Sequence, residues 1–374
     1  MAATSLDAEA LSDIARGSAV MAAGGGGDPY LGTLATLAAV ERHGPPLLVD
    51  PDDVPDDALI CSPATFGAPL PFVEKLTFGS ELDTAFERLT ARIERPLFGL
   101  MPIEAGGVNM MTPLLMATRL GLPVVDADLM GRAFPEMALV TLTLYDIGAS
   151  PAVIADEHGN AVTVEAIDNF WADRLCRAAA IEFGATAAQC AAAITGAQLR
   201  EAAVLRSVSR ARAVGAAVRE AAERKRDPVA GLLAATHGFE LFRGKIIDVQ
   251  RRTERSSTFG EVVVEGFGER SRGRLTVKFR NENLVAVMDS GEVLATTPDM
   301  ITVIDAETGQ AITTERLRYG FRVIVFGMAV DAKWRTPRGV ELGGPRHFGY
   351  DLDYVPVEQL AQRRTPAQAA PAGV

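Results

Sequence analysis

The stretch Leu97–Glu136, LFGLMPIEAGGVNMMTPLLMATRLGLPVVDADLMGRAFPE, decides the fold of this chain. Leu97–Ile103 is a short apolar run of the kind that forms a buried strand. Glu104, Gly106, Gly107 and Asn109 then crowd a polar turn. Met110, Met111, Leu114, Leu115, Thr118 and Leu120 recur at helical spacing, and Gly121-Leu122-Pro123 stops that helix. A second strand begins at Pro123–Val125, with Asp126, Ala127 and Asp128 at its C-terminal end. Strand, helix, strand in this order is one right-handed crossover, so the two strands should run parallel with both acidic clusters at one sheet edge. Ligands of open α/β sheets bind beyond the carboxyl ends of the strands. This unit therefore carries the candidate active site.

On its N-terminal side, residues 8–22 read as a helix with Ser5 or Asp7 as N-cap. That helix runs into Gly24-Gly25-Gly26-Gly27-Asp28-Pro29, and residues 30–42 read as a second helix. Four consecutive glycines expose backbone N–H groups and admit positive φ, as a turn that cradles an anion or ligand requires. The other reading is a flexible connection between two helices. Neither GxxxxGK[ST] nor a strand followed by GxGxxG is present, so no nucleotide fingerprint is met. Pro46–Val49 and Ala58–Cys61 are short strands, Ser62–Pro71 reads as a Gly/Pro-rich turn, and residues 80–95 as an amphipathic helix.

On the C-terminal side, Leu139–Leu144, Ala152–Ala155 and Ala161–Val164 are strand-like. Residues 165–235 become alanine-rich with helical periodicity through Phe170–Phe183, Thr186–Ile194 and Leu199–Ala222. From Phe239 the pattern changes to closely spaced β-branched runs: Lys245–Val249, Glu261–Glu265, Arg274–Phe279, Asn283–Met288, Met300–Ile304 and Arg322–Met328. Such spacing marks a small all-β barrel or sandwich. The expected organisation is α/β plus all-β. An α/β domain over 1–168 is followed by an alanine-rich helical segment over 169–238, packing on it or leading out of it. A β-barrel-like domain over 239–362 and a disordered Pro/Ala-rich tail over 363–374 complete the chain.

Composition narrows the function. The chain has 374 residues, 48% hydrophobic and 23% charged, with a net charge of −11. That acidity argues against a nucleic-acid or anionic-membrane partner. The longest apolar runs fall short of the roughly 20 residues of a membrane span. Cys61, Cys176 and Cys190 are an odd set without CxxC spacing, which suits reduced thiols in a cytoplasmic protein. Cys61 ends a strand but has no evident base, so a buried structural thiol is the better reading. The four histidines are scattered singly, with no HxH or HExxH pair and no GxSxG elbow; His347 stands out only for its Gly343–Tyr350 context.

Carboxylates remain. Glu104, Asp126 and Asp128, with Arg132 and Glu136 close by, can share a proton, hold a hard divalent metal, or act as acid and base. They can equally form a network of helix caps and ion pairs around Arg132. Asn281-Glu282-Asn283 follows a strand of the β region. It reads either as a turn or as a polar group reaching across the domain interface, where pockets form.

GGGGDP at 24–29, FGAP at 66–69, E-x-GG-x-N at 104–109, DAD-x-MGRAFPE at 126–136, FRNEN at 279–283, PDMI at 298–301 and GPRHFGYD at 344–351 together resemble one family. It is the former DUF917 family, now named for S-methyl thiohydantoin desulfurase and often found beside hydantoinase and oxoprolinase genes. The resemblance runs from about Ala8 to Pro356. It implies a three-layer α/β N-terminal domain, a β-barrel-like C-terminal domain, and hydrolysis of a C–S or C–N bond at the carbon between the nitrogens of a hydantoin- or thiohydantoin-type ring. On that basis Asp126 or Asp128 would activate water, directly or through a divalent metal that the two would hold. Glu104 would protonate the leaving group, and Asn109 and Arg132 would hold the ring oxygens. Gly24, Gly25, Gly26, Gly27, Asp28 and Glu282 would complete the substrate site. The expected partner is a small heterocyclic substrate. A homo-oligomer stays open, as does the alternative of a non-catalytic partner of a hydantoinase- or oxoprolinase-type enzyme.

Overall fold

The computed structural model describes residues 3–68, 71, 74–75, 79–254, 256–268 and 271–364. Within the first sheet the decisive crossover is formed as expected. Leu97–Leu100 and Val124–Val125 are parallel neighbours, with Leu100 opposite Val124, joined by the helix Gly107–Leu120. The sheet has eight strands in the order Ala3–Ser5, Leu47–Val49, Val124–Val125, Leu97–Leu100, Leu59–Gly67, Thr186–Thr195, Ala152–Ala155 and Ala161–Val164. Four central strands are parallel and the outer ones antiparallel.

Both faces of this sheet are covered, which makes three layers. Side chains alternate between two cores, as the pleat requires. Leu48, Cys61, Leu100, Val124, Ala188 and Cys190 join the helices Ala8–Met21, Ser80–Ile93, Gly107–Leu120 and Ser207–Glu223. Val49, Ile60, Val125, Ala187, Ala191 and Ile194 face the helices Asn169–Glu182 and Gly196–Ala202 and the loop after Asp128.

Three local expectations change. Thr186–Thr195 is a strand, not a helix, paired on both sides and buried along most of its length. Alanine's helix preference is a weak prior that packing overrides, and here small side chains let layers approach the sheet from both faces. Leu59–Gly67 continues through Ser62–Gly67, where the sequence suggests a turn, because the antiparallel Thr186–Thr195 strand supplies a partner. Leu139–Leu144 is not a strand. Thr141–Tyr145 is a 3-10 helix, tied down where the Thr141 amide and hydroxyl both donate to the Leu129 carbonyl.

The second sheet is antiparallel, seven-stranded and curled into a half-barrel. Its order is Val293–Thr296, Glu282–Met288, Arg274–Arg280, Ser257–Gly266, Phe239–Glu254, Arg322–Met328 and Met300–Asp305. Ile301, Val303, Val323 and Val325 fill its interior, while Met300, Ile304, Ile324, Phe326 and Met328 join the helical core of the first domain. The two domains thus share apolar packing, and the turn Arg280–Asn283 is brought against the glycine loop. Arg363 and Arg364 of the expected disordered tail close the helix Val357–Arg364, and residues 365–374 lie outside the described residues. Residues 69 and 70 of the Ser62–Pro71 stretch also lie outside them.

Candidate functional site

The glycine loop is built between two partners. The Ala23 and Gly24 carbonyls accept from the amides of Asn283 and Thr314 in the β domain, both at 2.8 Å. The Gly26 carbonyl accepts from the Val108 amide at 2.8 Å, at the start of the Gly107–Leu120 helix. Gly24, Gly26 and Gly27 have φ of 87°, 64° and 72°, which side-chain-bearing residues rarely adopt. Gly25 is required for a different reason. A Cβ there would lie 2.0 Å from Glu282 Oε1.

Beyond Cys61, the Leu59–Gly67 strand has no strand neighbour on that side among the described residues, and a side chain takes that place. Asn109 Oδ1 accepts from the Thr65 amide and hydroxyl at 2.7 and 2.8 Å, while Asn109 Nδ2 donates to the Thr65 carbonyl at 3.1 Å. The same Nδ2 donates to Glu104 Oε1 at 2.8 Å. Asn109 therefore fixes Glu104 to the strand edge. Glu104 is 4% exposed. Burial and the nearby Glu282 carboxylate raise its pKa well above the usual carboxylate range, against the hydrogen bonds from Asn109 and the Phe134 amide.

Glu282 arrives from the other domain. It is 2% exposed, and its Oε2 has no hydrogen-bond partner among the described residues. Burial pushes its carboxyl up to about 8, opposed by the Arg132 charge and by the Gly26 amide. Both glutamates open onto one cavity of about 80 Å³ between the domains. Gly26, Gly27, Thr65, Asn109 and Asn281 supply its polar wall. Ile103, Phe66, Met130, Phe134 and Met137 supply the apolar wall, with Arg177 and Gln189 also lining it. The Arg177 guanidinium is held by Asp173 at 2.8 Å, donates to the Pro135 carbonyl and the Ser256 hydroxyl, and lies over the Phe66 ring.

Other residues expected at the site are placed elsewhere. After Val125 the chain turns into Ala127–Asp128, which pairs with Val204–Leu205 and not with the main sheet. Asp126 consequently meets the start of the Ser207–Glu223 helix. It accepts from the Ser209 amide at 3.0 Å and from the Ser209 hydroxyl, and burial raises its carboxyl. Asp128 accepts from the Met130 and Gly131 amides at 2.6 and 2.5 Å, and burial raises its carboxyl to about 7. Neither lines the cavity. No group of three or more His, Cys, Asp and Glu among the described residues could hold a metal ion.

Arg132 is completely buried behind the Phe134 ring, 4.5 Å from its centroid. Its N–H groups go to the carbonyls of Ala133, Asn283, Pro298 and Asp299 and to the Thr297 hydroxyl, so none reaches into the cavity. Burial lowers its pKa to about 10 against the opposing pull of Glu282, Asp299 and Glu104. It joins the domains and places a cation beside the glutamates. Asp28 lies outside the cavity, capping Tyr30 at 3.0 Å, ion-paired with Arg316 and donating its amide to Glu315. Cys61 lies 3.7 Å from Cys190; that contact and complete burial raise its pKa, which leaves it a poor nucleophile. Arg177 and Gln189 carried no signal in the sequence, because their alanine-rich surroundings read as a connecting helix.

The fold and site define a class: a three-layer α/β domain and a curled antiparallel sheet that enclose a carboxylate-lined pocket at their junction. The chain belongs to the S-Me-THD-like family. The family's N-terminal domain matches residues 9–166 and its C-terminal domain residues 167–357. Among solved structures, a crystal structure of a protein from Chromobacterium violaceum is similar in fold, with a TM-score of 0.81 at 22% identity, covering 96% of this chain and 100% of that one. A comparison with curated proteins gives no match.

Proposed function

We propose that this protein is a hydrolase for a small hydantoin- or thiohydantoin-type ring, acting at the carbon between the two nitrogens with Glu104 and Glu282 as its acid–base pair. The observation that carries this reading is the convergence of two buried carboxyl groups, one from each domain, on one small cavity. Two carboxylates so placed resist simultaneous ionisation. Glu282 has the Arg132 cation beside it and ionises first, whereas Glu104 keeps its proton. Ionised Glu282 then takes a proton from the attacking water, and Glu104 donates one to the ring nitrogen or the departing group. For an S-methyl substrate, one water hydrogen ends on the ring and the other on sulfur. The C–S bond breaks, a C=O bond forms, and methanethiol leaves.

The cavity's other charge favours a reaction that keeps the ring closed. Ring opening would create a carboxylate next to two glutamates, while Arg177 is already neutralised by Asp173. The experiment is methanethiol release from S-methyl thiohydantoins as a function of pH. The rate should rise towards pH 8 as Glu282 ionises. A flat profile from pH 5 to 9, or full activity in Glu282→Gln, would remove the acid–base assignment.

The alternative, a non-catalytic partner of a hydantoinase- or oxoprolinase-type enzyme, draws on one surface. Ile167, just before the Asn169–Glu182 helix, and Trp171, Leu175 and Ile181 on it leave apolar side chains exposed. Turnover that requires an added partner subunit would favour it.

A further inference from the structure

The charge around the cavity is one-sided. Glu104 and Glu282 face it, and Asp128 acts on Glu104 from behind. The basic groups near them are already engaged. Arg132 lies outside the cavity with its N–H groups on carbonyls and a hydroxyl, Arg280 is ion-paired with Glu136, and Arg177 with Asp173. Glu282 Oε2, in a side chain 2% exposed that lines this space, has no hydrogen-bond partner among the described residues. A buried acceptor without a donor costs free energy unless a ligand supplies the donor. An anionic or purely accepting ligand would leave that deficit in place.

We infer that the cavity binds a five-membered cyclic amidinium or guanidinium cation, whose N–H groups donate to Glu104 and Glu282 from opposite sides. The planar N–C–N unit of such a ring presents parallel donors of the kind that carboxylates accept in pairs. The cation takes the place of the proton that Glu282 otherwise holds at neutral pH, so binding expels a proton. This deepens the hydrolase reading, because the ring protonated on nitrogen during that reaction is itself amidinium-like, and groups that favour it stabilise the transition state. It uses the same two glutamates but does not depend on turnover.

The test is calorimetric, on the full chain, with 2-amino-2-imidazoline as the cyclic guanidinium and 2-imidazolidinone as its uncharged counterpart. Titrations in two buffers of different ionisation enthalpy count the protons released. At pH 8 the cation should bind at least about tenfold tighter than the uncharged ring, its affinity should fall as pH drops to 6, and about one proton should leave per cation bound at pH 7. Glu282→Gln should remove most of the cation's advantage over the uncharged ring. Equal or tighter binding of the uncharged ring, no detectable cation binding, or no proton release in the wild-type protein would overturn the inference whether or not the variant folds. Methanethiol release that persists alongside such a result would overturn the cation preference alone. Cation binding without any turnover would instead count against the hydrolase reading.

Discussion

Two pairs of buried carboxylates lie within one short region of this molecule, and they are buried on different terms. Asp126 and Asp128 each accept two hydrogen bonds from nearby backbone amides or a serine, at a helix start and in a tight turn. Glu104 accepts from Asn109 and the Phe134 amide, Glu282 from the Gly26 amide, and both line one cavity. Asp126 has both oxygens used by the fold, and Asp128 spends one oxygen on its turn while Oδ2 is left without a partner among the described residues. What sets Glu282 apart is that its unpartnered oxygen belongs to a side chain lining a cavity, where a ligand can supply the donor. The difference teaches that burial and a raised pKa do not by themselves mark a site, since all four groups are raised.

The sharpest way to break this comparison is to remove the ability to carry a proton from one cavity glutamate. Glu104→Gln should lower turnover by roughly 10²–10⁴-fold, the range for losing a general acid. Its melting temperature should stay near or above that of the wild type, because an amide replaces a buried ionisable group. Loss of folding with no separate loss of rate per folded molecule would place Glu104 in the structural class with Asp126. Gly25→Ala comes next. Its Cβ would lie 2.0 Å from Glu282 Oε1, so the carboxylate must move or the loop must shift. Overpacking of this kind costs about 1–3 kcal/mol. Turnover should fall further than that loss of stability explains, and a crystal structure with Glu282 unmoved and turnover intact would refute the contact's importance.

How much of this was legible in the sequence follows from the same contrast. The crossover from Leu97 to Val125 placed Glu104 and Asn109 at the correct sheet edge, and the glycine run signalled close backbone approach. Glu282 is readable as a polar group reaching across the interface only because Asn281-Glu282-Asn283 interrupts an apolar β pattern. Asp126 and Asp128 were misplaced because strand order predicts where a strand ends, not where the next turn points. Two residues, Ala127 and Asp128, pair with Val204–Leu205 and swing both acids towards the Ser207–Glu223 helix. That pairing spans more than 70 residues and leaves no local signature. The Thr186–Thr195 strand was missed for a related reason: its alanines report the closeness of the layers around it, which only the folded sheet reveals.

Stability against pH separates buried acids of opposite character. The folded-state value of about 8 for Glu282 lies above the ordinary 4.5, so the folded protein holds the proton more tightly. Its contribution is full below pH 4.5 and is lost as pH rises through about 8, at no more than about 1.4 kcal/mol per pH unit for one group. Glu136 has the opposite sign. Although its burial works the other way, His347 and Arg280 hold its carboxyl down to about 2, so its contribution is full above 4.5 and is lost as pH falls towards 2. In chemical denaturation, Glu282→Gln should therefore gain stability over the wild type steadily from pH 5 to 8, whereas Glu136→Gln should fall behind the wild type as pH rises from about 2 to 4.5 and keep a constant deficit above it. Parallel curves for wild type and Glu282→Gln would mean that Glu282 titrates normally.

The smallest expected effect tests the other side of the comparison. Asp126→Ala removes the acceptor for the Ser209 amide and hydroxyl at the start of the Ser207–Glu223 helix. Loss of a side-chain cap costs about 0.5–2 kcal/mol. The helix packs along Ala8–Met21, where Gly17 and Gly215 bring the two backbones together, so fraying is confined to its first turn. The Asp126 carboxylate does not line the cavity, and the glycine loop that does is held by Asn283, Thr314 and Val108. Melting temperature should therefore fall by a few degrees while kcat/KM per folded molecule stays within about threefold, less than about 0.7 kcal/mol of transition-state stabilisation. Turnover that collapses while the melting temperature holds would reverse the two pairs: Asp126 would then reach the reacting ring, and the cavity between Glu104 and Glu282 would not be where the chemistry occurs.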